Sequence, residues 1–222
     1  MTLIRTLEPE VMESEQDALE YDAMDFSEVN LAFAERALEL TPAQGRIQDI
    51  GTGTARIPIV MMQQAATGIS IHAIDLSPEM LKVARNNVDD HGLGGRISLQ
   101  RVDAKELPFA DGEFDMVISN SVVHHVPDPS TFFAELIRVV RTGGGIFVRD
   151  LMRPGSAGEV DLLVSTYAGD ADAYQQKLYR DSLHASLTIP EVTSYVAKAG
   201  ITGAQVEQSS DRHWSLERRT AV

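Results

Sequence analysis

The sequence predicts an α/β fold built on a mostly parallel, doubly wound sheet. An apolar run at residues 46–50 stops at a glycine-rich turn, Gly51-Thr52-Gly53, and a helix-like segment follows. From there to Asp150, short apolar runs alternate with helix-like segments, and a polar residue stands where each apolar run ends. Strands that alternate with helices in this way pair in parallel, with the crossover helices packed on the sheet.

The residues before this alternation predict a separate helical segment. From Glu10 to about Leu40, apolar residues recur at three- and four-residue spacing, which is the helical period. Tyr21 and Phe26 are candidates for a lid over a bound ligand, and packing in the core is the alternative role for such aromatic side chains. We therefore treat residues 1–45 as an N-terminal helical lid segment.

The alternating part predicts five strands and the helices between them. Ser77 before Pro78, and Asp128 before Pro129, mark two helix starts, because a capping side chain and a proline suit the first turn. We expect the second of these helices to end at the glycines 143–145. The predicted strands are 46–50, 69–74, 97–102, 114–119 and 146–148.

After strand 5 the alternation pauses, and residues 152–187 predict an insertion of loop and helix. Helices are expected at about 158–167 and 172–184. Long insertions near the carboxyl edge of a sheet often shape a substrate pocket. Two short strands then close the chain, at about 202–209 and 213–219, and their three-residue connection predicts an antiparallel hairpin.

The glycine turn carries a specific motif, Asp49-x-Gly51-x-Gly53-x-Ala55. A dinucleotide-binding fingerprint requires a further glycine at the position of Arg56, so the turn does not match that pattern. The motif resembles instead the first motif of the class I S-adenosylmethionine-dependent methyltransferases, in which a glycine usually stands where Ala55 stands here. Glycines at such a turn let the backbone approach a ligand closely.

The resemblance runs from about Asp49 to the end of the chain. It implies a Rossmann-like sheet of seven strands in the order 3-2-1-4-5-7-6, with the last strand inserted antiparallel between strands 5 and 6. It also implies S-adenosyl-L-methionine as the cofactor. Residues 46–222 would then form the cofactor-binding domain, in which 152–187 shapes the substrate pocket.

Asp75 ends strand 2, about 20 residues after Gly53, where a carboxylate accepts the hydroxyl groups of a ribose. NAD and S-adenosylmethionine share that ribose, so Asp75 alone does not separate them. By the resemblance, Leu76 gives an apolar face to the adenine ring, and Asp103 accepts from the adenine amino group. The cofactor-binding residues that the resemblance implies are Asp49, Gly51, Thr52, Gly53, Asp75, Leu76, Asp103, Ala104, Ser119 and Asn120.

The stretch after strand 4, residues 119–126, resembles the part of the family that lines the methionine end of the cofactor. His124 is a candidate to take a proton from an acceptor hydroxyl or amine. His125 is a second candidate, with the alternative that it fixes the turn to Pro127. Asp150, at the end of strand 5, is the third. We predict no metal, because no third ligand stands at a recognisable spacing from the two histidines.

Composition narrows the range of partners. The chain has 19 basic and 33 acidic residues and a net charge of −14, so it lacks the electrostatic attraction to phosphate polymers, and we expect no nucleic acid partner. It has no cysteine, which excludes thiolate metal sites and disulfides. Without a signal-like start or an apolar run of about 20 residues, we expect a cytoplasmic monomer or homodimer with no membrane partner.

These observations predict an enzyme that moves the methyl group of S-adenosylmethionine to a small-molecule acceptor and releases S-adenosylhomocysteine. An activated methyl donor does not require a catalytic triad. One alternative is an NAD-dependent oxidoreductase, although the short-chain type requires a tyrosine and a lysine four residues apart. The nearest pairs, Tyr174 with Lys177 and Tyr195 with Lys198, are three apart. The other alternative is a non-catalytic protein that binds the same cofactor.

Overall fold

One seven-stranded sheet forms the centre of the protein in the computed structural model, which describes residues 3–8 and 14–221. The strands are β1 Gly45–Ile50, β2 Ile69–Asp75, β3 Ile97–Arg101, β4 Phe114–Asn120, β5 Val140–Leu151, β6 Gln205–Gln208 and β7 His213–Arg218. Their order across the sheet is β3-β2-β1-β4-β5-β7-β6. β7 is antiparallel to both of its neighbours, whereas the pairs from β3 to β5 are parallel. The predicted strand order and the antiparallel last strand are confirmed.

Helices connect the strands and cover both faces of the sheet. The helices are α1 Glu15–Ala23, α2 Ser27–Leu40, α3 Arg56–Gln64, α4 Pro78–Asp90, α5 Pro129–Val139, α6 Ala157–Tyr167, α7 Ala173–Ala185 and α8 Ile189–Lys198. None of the described helices combines the length and the apolar character that a membrane crossing requires.

Each face of the sheet has its own apolar core. α2, α3 and α4 pack on one face through a buried cluster that includes Phe33, Met61 and Val88. α5 and α8 pack on the other face through a cluster that includes Phe133 and Val192. The sheet is therefore doubly wound, and the loops at the carboxyl ends of its parallel strands meet at one edge, where ligands bind in such folds.

The glycines 143–145 do not end a helix, and that prediction is wrong. α5 ends at Val139, and β5 already begins at Val140 and continues through the glycines. A Cβ on Gly144 would lie 2.7 Å from the Asp115 carbonyl oxygen, and one on Gly145 would lie 2.9 Å from the Met116 side chain. The glycines are therefore strand residues that allow β5 to approach β4 closely.

The N-terminal segment is also not one helix. α1 and α2 are separated at Met24–Phe26, where the Asp25 carboxylate accepts hydrogen bonds from the N–H and hydroxyl of Ser27 and so caps α2. Glu10, the predicted start, lies outside the described residues. The two predicted helices of the insertion are observed as α6 and α7, and the predicted hairpin is observed as β6 and β7.

Candidate active site

The glycine turn after β1 lies directly against the end of β2. The Gly51 and Thr52 N–H groups donate to the Ile74 carbonyl oxygen at 2.9 and 2.8 Å. The Gly53 N–H donates to Asp75 Oδ2 at 2.8 Å, and the Ser77 N–H donates to Asp75 Oδ1 at 2.9 Å. The carboxylate that the sequence analysis assigned to a ribose therefore lies in the same cleft as the glycine turn.

Gly51 is required by its backbone conformation and by its surroundings. Its φ is +75°, in the left-handed region that favours glycine. A Cβ at this position would lie 2.1 Å from Cγ2 of Val122, which is in the turn after β4. The missing side chain thus lets the turn after β1 approach the turn after β4.

Ala55 also has a left-handed backbone, with φ +63°, and it is fully buried at the start of α3. An L-residue in this conformation costs about 1–2 kcal/mol relative to a relaxed backbone. Glycine, which usually stands at this position in the methyltransferases that the motif resembles, would adopt the left-handed backbone without this cost. The alanine here is tolerated with local strain.

Asp49 is a buried carboxylate that is incompletely satisfied by the protein. Its residue is 4% exposed, and among the described residues its Oδ2 atom has no hydrogen-bond partner. Burial raises the pKa of Asp49 to about 7. An unpaired buried oxygen is costly in the protein alone, and a donor group on a ligand at the glycine turn would relieve that cost.

The other predicted cofactor residues lie along the same edge of the sheet. Leu76 directly follows Asp75, and Asp103 with Ala104 follows β3, the next strand out from β2. The Asp103 carboxylate is 39% exposed and accepts from the N–H of Lys105, whose ammonium lies 3.1 Å away. Asp103 is therefore accessible to a ligand.

Ser119 and Asn120 use their side chains within the protein. The buried Ser119 hydroxyl donates to the Ile50 carbonyl oxygen at 2.8 Å and so ties β4 to β1. The Asn120 amide oxygen accepts from Arg149 Nε at 3.1 Å. The Ser119 hydroxyl is thus occupied by the sheet itself, and only its backbone remains for a role at the cleft.

α1 is fastened beside the glycine turn. Asp22 accepts two hydrogen bonds from Arg56, at 2.8 and 2.6 Å, and a third from Asn87 at 3.0 Å. The neighbouring Tyr21 ring lies next to Gly53, because a Cβ built there would be 3.7 Å from Tyr21 Cε1. This position agrees with the lid role predicted for residues 1–45, and that role stays a prediction.

A second polar group lies beyond β4 and β5. A short 3-10 turn, Val123–His125, follows β4, and Asp150 near the end of β5 accepts from His124 Nδ1 at 2.5 Å. The other Asp150 oxygen accepts from the Val123 N–H at 2.6 Å. His124 is 4% exposed and Asp150 is 1% exposed. The structure therefore brings two of the three predicted catalytic residues into direct contact.

This pair has opposite pKa shifts. Burial alone would lower the pKa of His124, but the adjacent Asp150 carboxylate raises it above the usual value for histidine. Burial alone would raise the pKa of Asp150, but the His124 ring and backbone N–H groups lower it below its usual value. Because the carboxylate accepts at Nδ1, that nitrogen carries a proton, and Nε2 is the nitrogen left to exchange one.

Glu8 is a further member of this group that the sequence analysis did not identify. Its Oε1 atom lies 3.4 Å from His124 Nε2 and 3.2 Å from His125 Nδ1, and its side chain is 7% exposed. Its Oε2 atom accepts from the Ser182 hydroxyl at 3.0 Å, and burial raises the pKa of Glu8. No local pattern marks this residue, because its contacts are with residues far along the chain.

Residues 3–8, which we call the N-terminal strap, connect this turn to α7. Arg5 donates to the carbonyl oxygens of His124 at 3.1 Å, Val126 at 2.9 Å and Ala185 at 2.6 Å. The Thr6 N–H donates to the carbonyl oxygen of His184 at 3.1 Å. The strap thereby holds Glu8 against the two histidines.

A cavity of about 380 Å³ lies beside the strap. Glu8 lines it together with two other strap residues, and Asp181 and His184 of α7 form the opposite side. Glu8 therefore lies between this cavity and the two histidines.

Comparison with known proteins identifies the domain to which this edge of the sheet belongs. Residues 48–148 match the profile of a family described as a methyltransferase domain. These residues form a methyltransferase domain that resembles the class I S-adenosylmethionine-dependent type. The profile begins just before the glycine turn and ends in β5, so it covers the cleft described above.

Curated relatives of this methyltransferase domain differ in their substrates. A ubiquinone/menaquinone biosynthesis C-methyltransferase of Geobacter sp. strain M21 is 34% identical over 55% of this chain and 52% of the relative. A phosphatidylethanolamine N-methyltransferase of Cereibacter sphaeroides is 38% identical over 47% and 49%. A demethylmenaquinone methyltransferase of Desulfitobacterium hafniense is 29% identical over 76% and 70%. The chain spans about half the length of the first curated relatives it matches.

Solved structures share the fold over most of the chain. A S-adenosylmethionine-dependent methyltransferase of Aquifex aeolicus has a TM-score of 0.69 at 17% identity, covering 95% of this chain and all of the other. Phosphoethanolamine N-methyltransferase 2 of Haemonchus contortus, in complex with S-adenosylmethionine, has a TM-score of 0.68 at 20% identity, covering 88% and 44%. At these identities the likeness establishes the fold alone.

S-adenosylmethionine is the cofactor of this methyltransferase family, and the residues at the glycine turn fit it. Asp49 offers a buried acceptor atom with no partner among the described residues. Gly53 leaves the turn uncrowded, since a Cβ there would meet only Tyr21 at 3.7 Å, and Asp75 presents a carboxylate beside it. These features are those that an adenosyl cofactor with a charged amino group requires.

We expect Gly51→Ala to destabilise the methyltransferase domain more than Gly92→Ala does. Both glycines have similar positive φ angles, +75° and +66°, but a Cβ on Gly92 meets nothing within 4 Å, whereas one on Gly51 collides with Val122. Urea unfolding of the two variants isolates the collision from the backbone strain, which is about 1–2 kcal/mol for each. Equal losses of stability would show that the contact with Val122 does not matter.

We expect Ala55→Gly to stabilise the domain by up to about 1 kcal/mol. The substitution removes the left-handed strain, and the greater freedom of glycine in the unfolded chain offsets part of the gain. Urea unfolding measures the change. A clear loss of stability in this variant would contradict the strain assigned to Ala55.

Proposed function

We propose that this protein transfers the methyl group of S-adenosylmethionine to a small-molecule acceptor and releases S-adenosylhomocysteine. One observation carries the proposal, which is the contact of Gly51 with Val122. Because of this contact, the glycine turn beside Asp75 is next to the turn of His124, whose ring is held from β5 by Asp150. A cradle for the cofactor and a buried acid–base pair thus share one edge of the sheet.

Several residues of this cradle would hold the cofactor. Asp75 would accept from the ribose hydroxyls, because each of its oxygens has a lone pair beyond those used by backbone N–H groups. Asp49 would accept from the amino group of the methionine part through its unpaired oxygen. Asp103 would accept from the adenine, with Leu76 against the ring. Ser119, Asn120, Thr52 and Ala104 would line the cofactor site with their backbone atoms.

On the acceptor side, we propose that His124 removes a proton. The bound cofactor supplies an already activated methyl group, so the chain must align the acceptor, exclude water and take up the proton that the acceptor loses. Asp150 fixes the His124 ring through Nδ1 and leaves Nε2 to accept that proton. Asp150 is therefore a positioning residue. His125, whose ring centroid is 4.1 Å from that of His124, completes the wall of the pocket.

The presence of a base favours acceptors whose reacting group is only weakly acidic and must lose its proton. Hydroxyl groups and activated carbon acids belong to this class, and the C-methyltransferases of quinone biosynthesis among the relatives support a carbon acceptor. The net charge of −14 supports a small acceptor over a nucleic acid. The insertion, residues 152–187, would then shape the acceptor pocket through α7.

Calorimetric titration of the purified protein with S-adenosylmethionine, S-adenosylhomocysteine and NAD tests the cofactor. We expect binding of both sulfur compounds and a weakening of about 10- to 100-fold in Asp75→Ala, since a hydrogen bond to a charged group contributes about 1.5–3 kcal/mol. Asp75→Asn keeps an acceptor for one backbone N–H, and it serves as a second variant in case Asp75→Ala does not fold. Asp90→Ala, at an exposed position, is the control. Binding of NAD alone would overturn the proposal in favour of an oxidoreductase.

Cofactor affinity is expected to rise with pH between 6 and 7. Because the pKa of Asp49 is raised to about 7, the free protein holds a proton there that must leave before the carboxylate can accept from the cofactor. The dissociation constant of S-adenosylhomocysteine should therefore fall by about fivefold over that unit, by about another twofold up to pH 8, and level off above it. Asp49→Asn, which cannot titrate, is the matched comparison. If the affinity of Asp49→Asn had the same pH dependence as that of the wild type, Asp49 would not be a cofactor-binding residue.

Release of S-adenosylhomocysteine in a screen of phenols, quinols and amines would identify an acceptor and separate an enzyme from a silent binding protein. With that acceptor, we expect His124→Ala to lower kcat by about 100-fold or more while cofactor affinity is unchanged. Asp150→Asn should lower kcat more than it raises KM, because the amide donates towards Nδ1 and misdirects the ring. His91→Ala, at an exposed histidine, should change neither constant. An unchanged kcat in His124→Ala would show that His124 is not the base. It would not contradict the proposed cofactor site.

A further inference from the structure

We propose that Glu8, His124 and His125 form a binding site for a divalent transition-metal ion such as Zn²⁺. The three side chains each offer one ligand atom, and these atoms all lie within 4.8 Å of one another. The sequence analysis predicted no metal because it found no third ligand near the two histidines. The fold supplies that ligand from the N-terminal strap.

The separations of the ligand atoms suit a small cation. Zn²⁺ binds histidine nitrogen and carboxylate oxygen at about 2.0–2.2 Å, and tetrahedral geometry then places neighbouring ligand atoms about 3.3–3.5 Å apart. Glu8 Oε1 lies 3.4 Å from His124 Nε2 and 3.2 Å from His125 Nδ1. Two of the three edges of the site therefore already have the required length.

The surroundings orient these ligands as they do in known metal sites. Asp150 accepts from His124 Nδ1 at 2.5 Å, so the lone pair of the ring is on Nε2 and points at Glu8. Ser182 donates to the second oxygen of Glu8 at 3.0 Å. A carboxylate behind a ligating histidine, and a donor behind a ligating carboxylate, fix the ligands and strengthen their binding.

Electrostatics also favours a cation at this position. With Nδ1 protonated, His124 Nε2 directs a lone pair at the Glu8 carboxylate, and two electron-rich atoms only 3.4 Å apart require a proton or a cation between them. Asp150 adds a second buried negative charge behind the ring. The positive charge of the Arg5 guanidinium, which donates to the His124 carbonyl oxygen, partly opposes the binding of a cation. A divalent ion would compensate both carboxylates.

The candidate site lies beside a cavity. The cavity of about 380 Å³ beside the strap reaches Glu8, and His184 and Asp181 line its other side. Two histidines and one glutamate with a remaining position for water or an oxygen ligand is a donor set that zinc uses in enzymes. Imidazole nitrogen ligands favour Zn²⁺, Co²⁺ or Ni²⁺ over Mg²⁺ and Ca²⁺.

The metal would occupy the same His124 nitrogen that the proposed function uses as a base. The two uses exclude each other at any one moment, so the metal-loaded protein is a form in which His124 accepts no proton. The inference does not rest on the proposed function, because metal binding is measured without cofactor or acceptor.

Titration of the full chain with Zn²⁺ against a chromophoric chelator tests the site. We expect one ion per chain and an affinity at least about 100-fold lower in Glu8→Gln and in His125→Ala. Loss of a group that hydrogen-bonds to a metal ligand typically weakens metal binding by about 10- to 100-fold, so Ser182→Ala, which removes the donor to Glu8, should have a smaller effect in the same direction. Glu35→Gln and His91→Ala, at exposed positions, should bind as the wild type does.

The visible spectrum of the Co²⁺-loaded chain gives an independent measurement. We expect the intense absorption of a four-coordinate ion in the wild type and its loss in His125→Ala. Absence of stoichiometric binding, or unchanged affinity in both Glu8→Gln and His125→Ala, would overturn the inference. Calorimetry with S-adenosylhomocysteine on the same preparations shows whether the cofactor site is intact, so failure of the metal site is distinguishable from failure of the proposed function.

Discussion

The contact between Gly51 and Val122 is the constraint on which the candidate active site depends. β1 and β4 are neighbours at the centre of the sheet, and their turns meet where a Cβ on Gly51 would lie 2.1 Å from the Val122 side chain. Only a hydrogen atom fits there. This close approach brings the turn beside Asp75, the proposed cofactor side, next to the turn of His124, the proposed acceptor side.

The buried carboxylates of the cleft are satisfied in different ways, and the differences separate their roles. Asp75 accepts from two backbone N–H groups, and Asp150 accepts from backbone N–H groups and from His124. Asp49 keeps one oxygen without a partner among the described residues. Glu8 faces two histidine rings. The first two are held by the fold, whereas the last two are completed only by a ligand, a proton or an ion.

Local sequence patterns were sufficient for most of the fold. Each strand is a short apolar run bounded by turn residues, and the hairpin connection fixes the antiparallel last strand. The prediction for glycines 143–145 was wrong because sequence alone does not distinguish a glycine that ends a helix from one that allows a neighbouring strand to approach. The position of Asp75 beside the glycine turn was predictable because both stand at the carboxyl ends of neighbouring parallel strands. Glu8 was not, since only tertiary structure brings it to the histidines.

Arg5 donates to the carbonyl oxygen of Ala185, which lies 180 positions later in the chain. Ala185 is therefore synthesised long after Arg5. During synthesis the strap has no partner until α7 has emerged, and closing so long a loop costs entropy that only those final contacts recover. The pocket beside His124 is therefore enclosed only after α7 has been synthesised. A nascent chain that has already built its central strands still leaves the two histidines open to solvent and to free metal ions.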